Sequence, residues 1–258
     1  MKCKICEYES EKFKKSKIMN KYEISYYYCP SCEFIQTEEP YWIEEAYIET
    51  INLTDIGIMK RNQVLANFTT IILSLFFNKR RKFLDYAGGY GIFTRLMRDI
   101  GFDFYWSDKY TENLISKGFE YNKDEKYELL TSFEAFEHFT NPIMEIENML
   151  KISNNILFST TLTPIKKPLH EEWYYYGLDH GQHISFYSIN TMHYLADKYS
   201  VNFYTNGKNI HLFTKKKINK SVFKFLYLLS RIGMASVFKV FIKSKIAEDA
   251  RILLGEKI

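Results

Sequence analysis

Lys82-Phe83-Leu84-Asp85-Tyr86-Ala87-Gly88-Gly89-Tyr90-Gly91 is the stretch on which the reading of this chain turns. Residues 82 to 87 are short and apolar enough for a buried parallel strand. The segment that follows, 92 to 100, carries apolar residues at 92, 93, 96, 97 and 100, the spacing of one helical face. Between them, small residues at 87, 88, 89 and 91 let the backbone approach a ligand closely, and the N–H groups of the helix start offer donors to an anion. A tight strand-to-helix turn without a ligand is the alternative for a glycine cluster taken alone.

Downstream features agree with binding. Asp103-Phe104-Tyr105-Trp106-Ser107-Asp108 reads as a second strand ending in an acid. In a doubly wound sheet, ligands sit beyond the carboxyl ends of the strands, where such an acid can accept hydrogen bonds from ribose hydroxyls. Tyr127 to Phe133 predicts another strand, followed by Glu134, Glu137 and His138. Asn141 and Pro142 suit the cap and first position of a helix over 142–151. A strand over 155–161 and a helix over 188–199 come next. Val201 to Tyr204 and Ile210 to Thr214 flank an Asn206-Gly207 turn, which predicts an antiparallel hairpin.

The pattern of Asp85, Ala87, Gly89 and Gly91 resembles the motif of the class I S-adenosylmethionine-dependent methyltransferases, with Asp108 matching their ribose-binding acid. The resemblance spans roughly residues 60 to 215. It implies an α/β fold with a Rossmann-like, mostly parallel sheet whose last strand pair is antiparallel. It also implies S-adenosyl-L-methionine as cofactor, held by Asp85, Ala87, Gly88, Gly89, Gly91 and Asp108, with Glu134 placed among them. The Glu137-His138 pair followed by a short spacer and Pro142 adds to it. Ala87 stands where the family has glycine, which is tolerable at negative φ and strained in a left-handed backbone. The dinucleotide-binding dehydrogenases fit less well, because their third glycine would fall at Thr94.

All four cysteines lie in the first 32 residues, as Cys3-x-x-Cys6 and Cys29-x-x-Cys32. Two such knuckles make a closed tetrahedral zinc site, structural because four thiolates leave no open coordination position. The intervening alternation of Tyr22, Ile24, Tyr26 and Tyr28 reads as a strand of a zinc ribbon. A ribbon ahead of a methyltransferase domain also occurs in bacterial sugar C-methyltransferases, of which this chain looks like a shortened relative. Four segments follow from this reading: a zinc ribbon over 1–40, a helical connector over 41–78, the cofactor-binding domain over 79–217 and a helical segment over 218–258. Arg61, in the connector, is a candidate for the methionyl carboxylate, with a surface arginine as the alternative.

Acceptor chemistry is expected in Glu171-Glu172-Trp173-Tyr174-Tyr175-Tyr176-Gly177-Leu178-Asp179-His180-Gly181-Gln182-His183. Aromatic faces can hold a sugar ring, and His180 or His183 can remove a hydroxyl proton, neutral imidazole being available with an unperturbed pKa near ~6.5. His183-Ile184-Ser185-Phe186 matches a stretch that recurs in glycan methyltransferases and favours His183. An aromatic lid with capping histidines is the alternative. A metal site on His180, His183 and Asp179 is disfavoured for want of a third ligand. His138 is the next candidate base, whereas His170, His193 and His211 have no supporting context.

A formal charge of +4 over 258 residues does not by itself imply nucleic acid, although Arg80-Arg81-Lys82 and Lys215-Lys216-Lys217 are basic clusters. No secretory signal follows Met1, so cytoplasmic residence is expected. Basic residues interleave the apolar positions after residue 220, which argues against a spanning helix and favours packing, a peripheral membrane contact or a homo-oligomer. The expected function is methyl transfer, O-methylation before C- or N-, to a small sugar-containing acceptor in glycan biosynthesis. An RNA-binding methyltransferase and a non-catalytic S-adenosylmethionine-binding module are the alternatives.

Overall fold

The computed structural model describes residues 1–48, 55–164 and 173–256, so His170, Glu171 and Glu172 lie outside the described residues. In chain order the elements begin with strands β1 (Glu11–Ile18), β2 (Tyr22–Tyr28) and β3 (Ile35–Thr37), followed by helices α1 (Ile43–Ala46) and α2 (Ile58–Phe76). Strand β4 (Lys82–Tyr86), helix α3 (Ile92–Ile100), strands β5 (Asp103–Ser107) and β6 (Tyr127–Ser132), helix α4 (Pro142–Ile152) and strand β7 (Ile156–Ser159) form the middle of the chain. Strand β8 (Ser185–Phe186), helix α5 (Ile189–Lys198), strands β9 (Asn202–Thr205) and β10 (Ile210–Thr214), and helices α6 (Lys220–Arg231), α7 (Ala235–Lys239) and α8 (Ile246–Leu253) complete it.

Six strands are hydrogen-bonded in the order β5-β4-β6-β7-β10-β9, and four in the order β1-β2-β3-β8. Strand β4 pairs in parallel with both β5 and β6, while β9 and β10 form the antiparallel hairpin expected from Asn206-Gly207. This is the α/β class, a mostly parallel sheet with antiparallel strands, that the sequence predicts. The chain divides into two compact units. One comprises residues 1–52, 134–148 and 158–216, and the other residues 53–133, 149–157 and 217–258.

In the unit that begins at Leu53, helix α3 buries Phe93, Thr94, Met97 and Arg98. Arg98 is 1% exposed, yet its guanidinium makes four hydrogen bonds. It meets both oxygens of Asp249 at 2.6 and 2.8 Å, Asp103 at 2.9 Å and the Phe104 carbonyl at 2.7 Å, with its face 3.6 Å from the Phe119 ring centroid. A buried charge survives only with such compensation, and this one fixes α8 to α3. Helix α6 packs on α2 through Phe223 and Tyr227, each edge-on to Phe68. Among the described residues no helix is long and apolar enough to cross a membrane.

In the unit that begins at Met1, the N-terminal sheet and the aromatic segment share one core. Ile18, Ile24, Tyr26, Ile35 and Trp42 pack with Tyr175, Tyr176, Ile184 and Phe186. The Trp42 indole N–H donates to the Gly181 carbonyl at 2.8 Å, and β3 pairs with β8 through Ile35 opposite Phe186.

Candidate functional site

The loop after β4 is held from within. Asp85, 2% exposed, accepts from the hydroxyls of Thr131 at 2.9 Å and Thr94 at 3.1 Å. Burial pushes its carboxyl up to about 7 despite these bonds. Its Oδ2 lies where a side chain on Gly88 would go: a Cβ there would meet Oδ2 at 2.7 Å and Trp106 at 2.8 Å. Asp85 is therefore a brace beneath the loop. Above it, Ala87 adopts a left-handed backbone at φ 58° and Gly91 one at φ 86°. Glycine is required at 91, where a Cβ would lie 2.7 Å from the Asn113 amide oxygen. At 87 the methyl sits in the strained conformation that the sequence left conditional.

Asp108 follows β5 directly. Its Oδ1 accepts the backbone N–H groups of Tyr110 and Thr111, each at 2.8 Å, and its Oδ2 accepts that of Gly89 at 2.9 Å. The Trp106 indole N–H donates to the Gly89 carbonyl at 2.8 Å, holding the same residue through its following peptide. A carboxylate has about four lone-pair sites, so Oδ2 retains capacity for a ribose hydroxyl. Asp85, Ala87, Gly88, Gly89, Gly91 and Asp108 are thus assembled in one place. Arg61 is engaged elsewhere, bidentate to Asp55 at 2.6 and 2.8 Å.

Glu134 belongs to the other unit. In a left-handed conformation at φ 52°, it donates its backbone N–H to the Ser159 hydroxyl at 2.8 Å and accepts that hydroxyl on Oε1 at 2.5 Å. The turn after it carries Glu137 and His138, and the stretch 183–187 is stitched onto that turn. The Ile184 N–H donates to the Glu137 carbonyl at 2.9 Å, the Ser185 hydroxyl to Phe139 at 2.8 Å and the Tyr187 hydroxyl to Phe136 at 3.0 Å. That stitching is the physical content of the His183-Ile184-Ser185-Phe186 motif: it sets the His183 ring 5.0 Å from that of His138.

The histidines differ in what they can do. His138 Nδ1 faces the Gln182 carbonyl at 3.1 Å, and His183 Nδ1 faces the Tyr175 carbonyl at 2.6 Å. A carbonyl only accepts, so each Nδ1 carries the proton and each Nε2 keeps its lone pair. Burial pushes His138 down to about 4 and His183 well down as well, which keeps both rings neutral. His180 is set the other way. Its Nδ1 accepts the Gln182 N–H at 3.1 Å, so the neutral ring carries its proton on Nε2 and has no lone pair left for a hydroxyl. By sequence His180 and His183 are both candidate bases with His183 favoured, and these ring orientations add to the case for His183. Burial also lowers its pKa.

One further expectation changes. Tyr175 and Tyr176 belong to the core, and only Tyr174, 76% exposed, presents an open ring in the run of three tyrosines. His211 is structural, bonded through Nδ1 to the Thr205 hydroxyl and through Nε2 to the Thr160 carbonyl, both at 2.9 Å. His193 lies exposed on α5. Sequence reasoning gave Glu137 no role beyond the resemblance. It is 1% exposed, and burial beside Glu134 pushes it up to about 8.

The cysteines form two matching knuckles. In each, the N–H four residues after the first cysteine donates back to its carbonyl: Glu7 to Cys3 at 3.0 Å and Glu33 to Cys29 at 2.8 Å. Both glutamates are left-handed, at φ 60° and 62°. Cys3 Sγ lies 3.6 Å from Cys32 Sγ, and Cys6 Sγ 3.4 Å from Cys29 Sγ. The four sulfurs all lie within 4.8 Å of one another, close to the ~3.8 Å edge of a tetrahedron with ~2.3 Å zinc–sulfur bonds.

Comparison with protein families matches residues 60–202 to a family described as a methyltransferase domain. Curated protein sequences give no match. Among solved structures, the chain is similar to the plantazolicin methyltransferase BpumL in complex with SAH, with 16% identity and a TM-score of 0.46 over 73% of this chain and 82% of that one. It is also similar to the magnesium protoporphyrin IX methyltransferase ChlM from Synechocystis PCC 6803 with bound SAH, with 13% identity and a TM-score of 0.45 over 68% and 97%. A third is CalO1, a methyltransferase in calicheamicin biosynthesis, with 11% identity and a TM-score of 0.45 over 68% and 60%.

Proposed function

Because the chain belongs to the methyltransferase-domain family, we propose that it transfers a methyl group from S-adenosyl-L-methionine to a hydroxyl of a small, sugar-containing acceptor. The observation that carries the cofactor is the loop after β4, with its buried brace Asp85, its glycines at 88 and 91 where a side chain has no room, and Asp108 bonded to the Gly89 N–H. When bound, S-adenosylmethionine supplies an electrophilic methyl group on a sulfonium.

The chain's own residues then have three tasks. Asp108 holds ribose hydroxyls with the acceptor capacity left on Oδ2, and the loop backbone at Gly88, Gly89 and Gly91 gives close approach. Methyl transfer is an in-line displacement, so alignment supplies much of the rate. The acceptor hydroxyl must lose its proton as its oxygen attacks. His138 and His183, neutral with a free Nε2, are the groups suited to take it. The N-terminal cysteines hold structural zinc, and the sheet built on them carries β8 and thereby the segment that fixes His183. Glycan biosynthesis is the setting this chemistry fits, with the protein in the cytoplasm.

A screen of hydroxylated acceptors with a labelled methyl donor tests the reading, together with calorimetry of S-adenosylmethionine and S-adenosylhomocysteine. Binding of both with turnover of a hydroxylated acceptor is the expected result. Failure to bind either one would overturn the cofactor assignment, and product carrying the label on carbon or nitrogen would overturn O-methylation.

A further inference from the structure

Glu137 presents a problem that proton removal by histidine does not solve. Its carboxyl is almost wholly buried, and among the described residues neither oxygen has a hydrogen-bond partner. The hydroxyls of Tyr175 and Thr160, which face each other at 3.2 Å, only partly ease its burial. An unpartnered buried carboxyl is costly, and natural interiors compensate such groups with a donor or a cation. No lysine or arginine supplies the cation among the described hydrogen bonds and ion pairs of Glu137.

Two histidines stand next to it in the arrangement that metal ligands adopt. One ligating atom from each of Glu137, His138 and His183 lies within 4.8 Å of the others. Each imidazole directs Nδ1–H to a main-chain carbonyl, of Gln182 or of Tyr175, leaving Nε2 as the lone pair. A backbone carbonyl on the far nitrogen is the usual outer support of a metal-bound histidine, because it fixes both tautomer and ring orientation. The supports are themselves rigid. The Gln182 side chain donates to the Ala46 carbonyl at 2.7 Å, and Tyr175 is a core residue.

The geometry points to a second metal site, separate from the cysteines, in which Glu137, His138 and His183 bind a divalent transition cation of the zinc class. Two imidazoles and one carboxylate suit zinc, and three protein ligands leave a coordination position open. An acceptor hydroxyl oxygen in that position would become more acidic on the cation, and because both Nε2 lone pairs would then be held by the metal, its proton would leave to water rather than to His138 or His183. The third ligand that the spacing of His180 and His183 does not provide comes from Glu137, with His138 in place of His180. The site does not rest on methyl transfer, since it would exist in a chain of any activity with these residues so placed.

The test is metal stoichiometry on the full chain, loaded with zinc or cobalt(II) and freed of excess by gel filtration. Wild type is expected to hold two equivalents. Cobalt in the cysteine site gives strong thiolate charge-transfer absorption, whereas cobalt on nitrogen and oxygen gives weak visible bands alone. Glu137→Gln and His183→Gln should each lose the weak bands and keep the strong ones. Their affinity at this site should fall by more than the roughly 10–100-fold that follows loss of an outer-shell partner. Cys29→Ser should do the reverse. Thermal unfolding of the metal-free variants shows whether the fold persists, and Glu137→Gln, which is close to the buried acid in size and shape, guards against a misfolded histidine variant. A single equivalent in wild type, held by sulfur, would overturn the proposal, as would two equivalents unchanged in both variants. Methyl transfer by protein that takes up only the sulfur-bound equivalent would overturn this site and leave the proposed activity standing.

Discussion

Asp108 accepts the backbone N–H of Gly89 at 2.9 Å, so the acid that ends β5 and the loop that ends β4 are fixed to each other. Its substitution therefore acts twice, by removing an acceptor for ribose and by releasing the loop. Asp108→Ala should weaken S-adenosylmethionine binding by on the order of 1.5–3 kcal/mol, the worth of a charge-assisted hydrogen bond. Asp108→Asn keeps one acceptor oxygen and should lose less. Calorimetry giving both variants wild-type affinity would remove Asp108 from the site.

Ala87 has a left-handed backbone at φ 58°. A β-carbon there costs roughly 1–2 kcal/mol, and glycine returns part of that gain as unfolded-state entropy. Ala87→Gly should therefore stabilise the protein by about 0.5–1 kcal/mol and leave cofactor affinity unchanged. Denaturant unfolding that finds the variant less stable would show that the methyl makes a packing contribution larger than its strain.

Asp85 carries a pH dependence whose sign is fixed by its environment. Burial raises its folded pKa to about 7 from an ordinary value of 3.8. The folded state therefore holds a proton that the unfolded chain has released across that window, and stability falls as pH rises from about 4 to about 7. The full effect is at most about 4 kcal/mol. Asp85→Asn retains an oxygen for the Thr131 hydroxyl and should flatten this part of the profile, raising relative stability at pH 8. Parallel melting-temperature profiles for wild type and variant would contradict it.

The parts of the molecule legible in the sequence are those governed by local spacing. Residues 92–100 form the helix that their apolar positions predict, and Asn206-Gly207 joins the two strands of a hairpin. What was illegible depends on distant partners. Arg98 and Asp249 are 151 residues apart, and neither type nor spacing marks them as a buried pair. Tyr175 and Tyr176 read as a ligand platform because their cover, Tyr26, Ile35 and Phe186, comes partly from the N-terminal strands. His180 and His183 are equivalent by composition and differ only in which ring nitrogen meets the backbone.

The cysteine knuckles reach beyond their own loops. Thr191 donates its hydroxyl to the Cys32 carbonyl at 2.8 Å, and Thr191 with Ser188 forms the capping box of α5. Cys29→Ser should lose the zinc held by sulfur and, because metal binding and folding are coupled, lower the melting temperature of the segment that carries β8 and the start of α5. Hydrogen exchange should report the loosening at residues 185–191. Freshly purified, reduced wild-type protein with no zinc would end the assignment.

The last prediction separates the three histidines. His138 and His183 each keep an Nε2 lone pair, whether it takes the acceptor's proton or binds the cation that acidifies it. Replacing either by alanine should lower turnover by about 10²–10⁴-fold with S-adenosylmethionine affinity unchanged. His180 offers no such lone pair, because its Nδ1 accepts the Gln182 N–H. His180→Ala should leave turnover within a few fold of wild type and cost about 1 kcal/mol of stability for the lost hydrogen bond. His180→Asn, which restores an acceptor, should recover part of that stability. A collapse of turnover in His180→Ala at unchanged melting temperature, with His183→Ala fully active, would reverse these roles and move the acceptor chemistry to the far side of the loop.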